Sequence, residues 1–190
     1  MATWYAQNGT QDIRAAWNGH PTMWNSAPNG SGTWLTWANL AANDVLCANG
    51  KMGIGINVGF TCGALSTRAE GGGMSGGQFL VYGPTNFTIN ANFRAGPSNC
   101  LCIYVGVDGH TLTLNGDAAG GDEEDEEEGI AGKGIYASYG GTAKVILNGN
   151  VYGGDYFSSS GIHNVETGET VIVTGNIINN LICNAVLGPI

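Results

Sequence analysis

Three stretches of the chain repeat one pattern: GHTLTLNGDAAGG from Gly109, GTAKVILNGNVYGG from Gly141 and GETVIVTGNIINN from Gly168. Each opens on glycine, alternates apolar and polar residues over a short run, and breaks at a small polar turn. That alternation is the mark of a β-strand, whose successive side chains point to opposite faces. Aligning the turns puts Asn115, Asn148 and Thr174 in one column, and Asn90 and Asn57 extend it toward the N-terminus. The successive spacings are 33, 25, 33 and 26 residues; the second 33 contains the seven-residue run Asp122–Glu128 and becomes 26 without it. A period in the mid-twenties, with insertions confined to turns, is expected of coils stacked into a β-solenoid.

A second column agrees with the first. GIYASYG (134–140) and GIHNVETG (161–168) begin 27 residues apart, and CLCIYVG (100–106) falls at the same place one coil earlier. Each coil then holds at least two short strands with Gly or Asn corners, residues that tolerate the left-handed backbone of a sharp bend. Val145 and Leu147 are expected on one face with Lys144 and Ile146 on the other, and Val171 and Val173 repeat this a coil later. The expected fold is all-β, a parallel β-helix (β-solenoid) of four to five coils over residues 42–190, preceded by an aromatic-rich cap at 1–41. A β-sandwich of short strands at similar spacing is the alternative.

At 43% hydrophobic residues the chain can fill a core, and 33 glycines without a three-residue period fit many tight corners. Of the net charge of −9, the acidic run supplies −7, leaving the remainder nearly neutral. The basic residues Arg14, Lys51, Arg68, Arg94, Lys133 and Lys144 stand singly, with no stripe to neutralise phosphates, which argues against nucleic acid. The first residues carry no charged segment followed by an apolar one, and no apolar run approaches the ~20 residues of a membrane helix. Cys47, Cys62, Cys100, Cys102 and Cys183 show no metal-ligand spacing and read as reduced core thiols, consistent with synthesis in a reducing cytoplasm.

Residues 1–41 hold all five tryptophans, Trp4, Trp17, Trp24, Trp34 and Trp37. A stacked β column exposes unpaired backbone at its ends and needs a plug. The segment is therefore either a structural cap or an anchoring surface on which Trp4, Tyr5, Trp17, Trp24, Trp34 and Trp37 meet a partner. TWLTWANLAAND within it suits a short helix or a strand-edge cap. At the other end LICNAVLGPI opens a further coil and leaves the last one thinly covered, favouring association with another copy.

Catalytic signals are weak. A glycosidase needs two carboxyl groups roughly 5–9 Å apart, and only Asp117 and Asp155 fall at comparable places on successive coils. Glu166 and Glu169 flank a Thr-Gly turn, and His20, His110 and His163 lack partners at recognisable spacing. No catalytic residue, cofactor or metal is expected. The run Asp122, Glu123, Glu124, Asp125, Glu126, Glu127, Glu128 lacks the alternation of a calcium loop and reads as a solvated acidic surface loop.

The motifs WLTWANL (Trp34 to Leu40), Ala48-Asn49-Gly50-Lys51, the Gly-rich stretch from Gly71 to Phe79, and the repeated units at Leu112, Ile146 and Ile172 resemble a family of bacteriophage virion structural proteins. The acidic insertion and Met52-Gly53 depart from that pattern and leave the first coil irregular. The resemblance implies a non-catalytic capsid decoration (cement) or head-fibre protein on the virion surface, and carries no catalytic residues. The expected protein is a homotrimer bound through its N-terminal region to the major capsid protein. A tail fibre or spike that binds or cleaves host glycan is the second reading, with Tyr136, Tyr139, Tyr152, Tyr156 and Phe157 as its aromatic candidates. A bacterial surface adhesin is the third.

Overall fold

The computed structural model describes residues 1–8, 23–51, 53–56, 58–67, 77, 79–81, 86–95, 101–105, 111–120, 133–137, 144–152, 160–164, 170–178 and 182–183. The N-terminal strands are β1 (Thr3–Ala6), β2 (Trp24–Asn25), β3 (Val45–Cys47), β4 (Ile54–Ile56), β5 (Phe60–Ser66), β6 (Phe79–Val81), β7 (Phe87–Arg94) and β8 (Leu101–Val105). They are followed by β9 (Thr111–Asn115), β10 (Ala118–Ala119), β11 (Lys133–Ala137), β12 (Lys144–Asn148), β13 (Val151–Tyr152), β14 (Ser160–Asn164), β15 (Thr170–Val173), β16 (Ile177–Ile178) and β17 (Ile182–Cys183). The chain is all-β: among the described residues it has these strands, one 3-10 turn at Trp37–Asn39 and no α-helix.

The strands form two separate sheets. The first has 11 strands with the path β15-β12-β9-β7-β5-β3-β1-β2, and β10, β13 and β16 branch from it through β7. The second has six, in the order β17-β14-β11-β8-β6-β4. From β3 onward the chain alternates between the sheets, and every pairing between these strands is parallel. The first sheet is mixed only because β2 runs antiparallel to β1, with Asn25 bridged in turn to Trp34. The strands β10 and β13 lie against β14 of the second sheet, and β10 also against β11.

The repeat read from the turns is a physical register. Asn90 is opposite Asn115 and Asn115 opposite Asn148, and Leu147 pairs with Val173 just before Thr174. In the second sheet Ile135 is opposite both Ile103 and Ile162. The acidic run falls between β10 and β11, so the pairings on either side of it keep step. One assignment needs correcting. Asn90 is opposite Thr61, not Asn57, because Ile54–Ile56 belongs to the second sheet, where it pairs with Phe79–Val81. Asn57 itself lies outside the described residues. The early strands are irregular: the β5–β7 register shifts between Thr61 and Ala64, and Gly53 has φ 72°.

Alternation sets the core. Leu112, Leu114, Val145, Leu147, Val171 and Val173 are buried, while Lys144 is exposed and Ile146 half-buried. Aligned residues form continuous columns, one of which runs Leu46, Leu65, Phe93, Ala118, Val151 and Ile177. A single apolar cluster reaches from Met23 and Trp24 to Val171 and Val173. Each buried large aliphatic side chain contributes roughly 1.5–3 kcal/mol by leaving water. At the β16 edge the column loses its cover, and Ile177 is 43% exposed.

Candidate functional site

Two features stand out above the repeat: the N-terminal cap and the outward face of the first sheet. The cap is organised by Asp44, which directly precedes the apolar Val45-Leu46-Cys47 strand and is buried with it at 4% exposure. Its Oδ1 accepts the Ala2 amide at 2.7 Å, and its Oδ2 accepts the Trp4 indole Nε1 at 3.0 Å and the Ala41 amide at 3.1 Å. Its main-chain carbonyl accepts Gly63 N at 2.7 Å and Ala64 N at 3.2 Å. One residue therefore ties β1, the segment after the 3-10 turn, and β5 together. Burial alone would raise the carboxyl's pKa. The donors from Trp4, Ala2 and Ala41 outweigh it and hold the group below its ordinary value.

Asn25 closes the antiparallel edge in a similar way. Its Oδ1 accepts the Ala27 and Gly32 amides at 2.9 and 2.8 Å, and its Nδ2 donates to Gly32 O at 3.1 Å. The Ala48-Asn49-Gly50-Lys51 motif is a tight turn with φ 53° at Asn49 and 70° at Gly50, closed by Lys51 N donating to Ala48 O at 2.9 Å. Positive φ at both central positions selects Asn-Gly. The Asn49 Nδ2 also donates to Ala6 O and Pro28 O, fastening the cap to the first turn.

This arrangement sorts the aromatic residues of the expected anchor. Tyr5 and Trp24 are in the core, Trp24 at 1% exposure, so neither offers area to a partner. Among the described residues, Trp24 Nε1 is a buried polar atom without a hydrogen-bond partner. Trp4 is half-buried and committed to Asp44. Trp34 is exposed, at 38%. Trp37 opens the 3-10 turn, and Trp17 lies outside the described residues.

The outward face of the first sheet is a ruled polar surface. The Asn90 Nδ2 donates to Thr61 Oγ1 at 2.9 Å, Asn115 Nδ2 to Asn90 Oδ1 at 2.7 Å, and Asn148 Nδ2 to Asn115 Oδ1 at 2.8 Å. Thr174 Oγ1 closes the row on Asn148 Oδ1 at 3.3 Å. A second row runs beside it, in which side-chain oxygens cap the next rung's backbone. Asn92 Oδ1 accepts Asp117 N at 2.9 Å, Asp117 Oδ1 accepts Asn150 N at 2.7 Å, and Asn150 Oδ1 accepts Asn176 N at 3.0 Å. The turn column noticed in the sequence is the first row. The second row was missed, although its residues sit two places further on in every repeat.

Asp117 thus serves as a rung of that row. Its supposed companion Asp155 lies outside the described residues, as do Glu166, Glu169, His20, His110 and the run 122–128. Cys47 and Cys62 are buried, and burial pushes the Cys62 thiol up to about 12. Among the described residues no cluster of three or more His, Cys, Asp or Glu is placed to hold a metal, and no helix is long and apolar enough to cross a membrane. Compared with family models, with curated proteins and with solved structures, the chain finds no match in any of the three.

Proposed function

We propose that the chain is a β-solenoid in which each passage through the first and second sheets is one coil. On this reading it is a non-catalytic structural protein that decorates or cements the outside of a bacteriophage capsid. The parallel pairing of every successive strand from β3 to β15 in the first sheet supports the solenoid over a sandwich, whose sheets are built from antiparallel pairs. Counting each passage from β3 as a coil gives more than the four to five expected from the turns alone.

The observation that carries the functional reading is the closed N-terminal end of the stack. Its N-terminal end is plugged by β2 and locked by Asp44 and Asn25, yet presents Trp34 outward. A column whose N-terminal end is closed and carries an exposed indole suits a molecule that docks by that end. The partner is the major capsid protein, and three copies share the site as a homotrimer. Symmetric association of this kind also covers exposed edges.

Trp34→Ala tests this reading. Loss of a central aromatic anchor is expected to weaken particle binding by roughly 2 kcal/mol or more. The variant should dissociate from sedimented particles while keeping its unfolding midpoint. Undiminished co-sedimentation would remove the anchor from the proposal. Light scattering of the free protein reads the assembly, with three times 19.6 kDa expected.

A further inference from the structure

The outward face of the first sheet has more hydrogen-bonding capacity than the fold uses. Each side-chain amide has two N–H donors and two lone pairs. In the row Asn90, Asn115, Asn148, the cross-rung bonds take one N–H from each and one lone pair from each Oδ1. Asn115 and Asn148 are exposed, so a second donor and a second acceptor on each remain open to solvent. In the row Asn92, Asp117, Asn150, the oxygens are engaged, while the Asn92 and Asn150 NH2 groups have no partner among the described residues.

Strand spacing sets the repeat of these groups at about 4.8 Å along a straight line. The ladder already fixes their rotamers, so a ligand that uses them has less side-chain freedom to freeze. The same face carries half-buried Ile146 and Ile172 on one flank and half-buried Ala119 and Tyr152 on the other. Among the described residues charge on this face is sparse: Asp117 lies within the rows, Arg94 is opposite Ala119, and Lys144 stands at the margin. A linear array of amides between apolar strips matches a ligand that is itself linear, uncharged, rich in hydroxyls and apolar on its C–H faces.

We infer that this face binds a neutral, extended polysaccharide laid along the rungs. Its hydroxyls meet the open amide groups of Asn115, Asn148 and Asn150, and its C–H faces cover Ile146, Ile172 and Tyr152. The site is independent of the docking end that carries Trp34, so a decorating protein would hold both at once.

The test is binding of the full chain to immobilised neutral glucans, mannans, galactans and xylans, with polygalacturonate and heparin as acidic counterparts. Retention on at least one neutral polymer is expected, at least tenfold weaker for Tyr152→Ala and for Ile146→Lys. Both positions face outward, and their unfolding midpoints check that the fold is kept. If neither variant folds, NMR of the wild-type side-chain NH2 groups reads the site, with the Asn115 and Asn148 resonances expected to move on adding the retained polymer. Absence of binding to every neutral polymer, binding to acidic ones alone, equal binding by both folded variants, or unmoved amide resonances would each overturn the inference.

Discussion

A methyl group at Gly149 has nowhere to go. A Cβ there meets the Gly116 carbonyl oxygen, just as one at Gly175 meets Gly149 O and one at Gly116 meets Ala91 O. These glycines form a column at the corner where the first sheet bends from β9 to β10, β12 to β13 and β15 to β16. Each rung closes onto the backbone of the one before. Backbone cannot yield as a side-chain tip can, so Gly149→Ala is expected to cost about 1–3 kcal/mol, seen as a lower urea midpoint with unchanged slope. A midpoint equal to wild type would mean that the corner has room for a methyl group.

Asp44 gives a second test at this scale. Its folded pKa lies below the ordinary 3.8. The carboxylate's contribution is thus fully present above that value and is lost as pH falls through the folded pKa. Thermal midpoints of wild type and Asp44→Asn between pH 2 and 6 should differ most at the upper end and converge toward the lower. A constant difference would show that the charge is not what holds Ala2 and Trp4.

Among the elements, the informative one is the connection between β10 and β11. Asn115 and Asn148 are 33 residues apart yet hydrogen-bonded neighbours, like Asn148 and Thr174 at 26. Deleting 122–128 restores the shorter spacing, and since loop entropy changes slowly with length, stability is expected to shift by less than about 1 kcal/mol. Loss of the far-UV β signal on deletion would give the run a structural part in the fold.

Legibility followed the same division. The later strands were readable because each sequence repeat carries both an alternation and a turn residue, and Val145, Leu147, Val171 and Val173 are buried as that pattern requires. The early strands were not. The step from Val45 to Ala64 is short, the strand Ile54–Ile56 belongs to the second sheet, and the bulge between Thr61 and Ala64 interrupts the alternation. Nor did composition separate the tryptophans: Trp24 and Trp34 are ten residues apart in similar polar surroundings, and only the antiparallel return of β2 buries one and leaves the other outside.

At the scale of the whole molecule, a continuous apolar core joins the cap to the last rungs, and the polar rows stiffen its outer surface. The N-terminal strand is built into the first sheet through β3, so the cap and the repeat share that core. The proposed function places the protein on the capsid exterior, docked by its capped end. Electron microscopy of phage particles labelled with gold-conjugated antibody against the chain tests that most directly. Gold distributed evenly over the head is the expected result. Gold confined to the tail, or absent from intact particles, would contradict it.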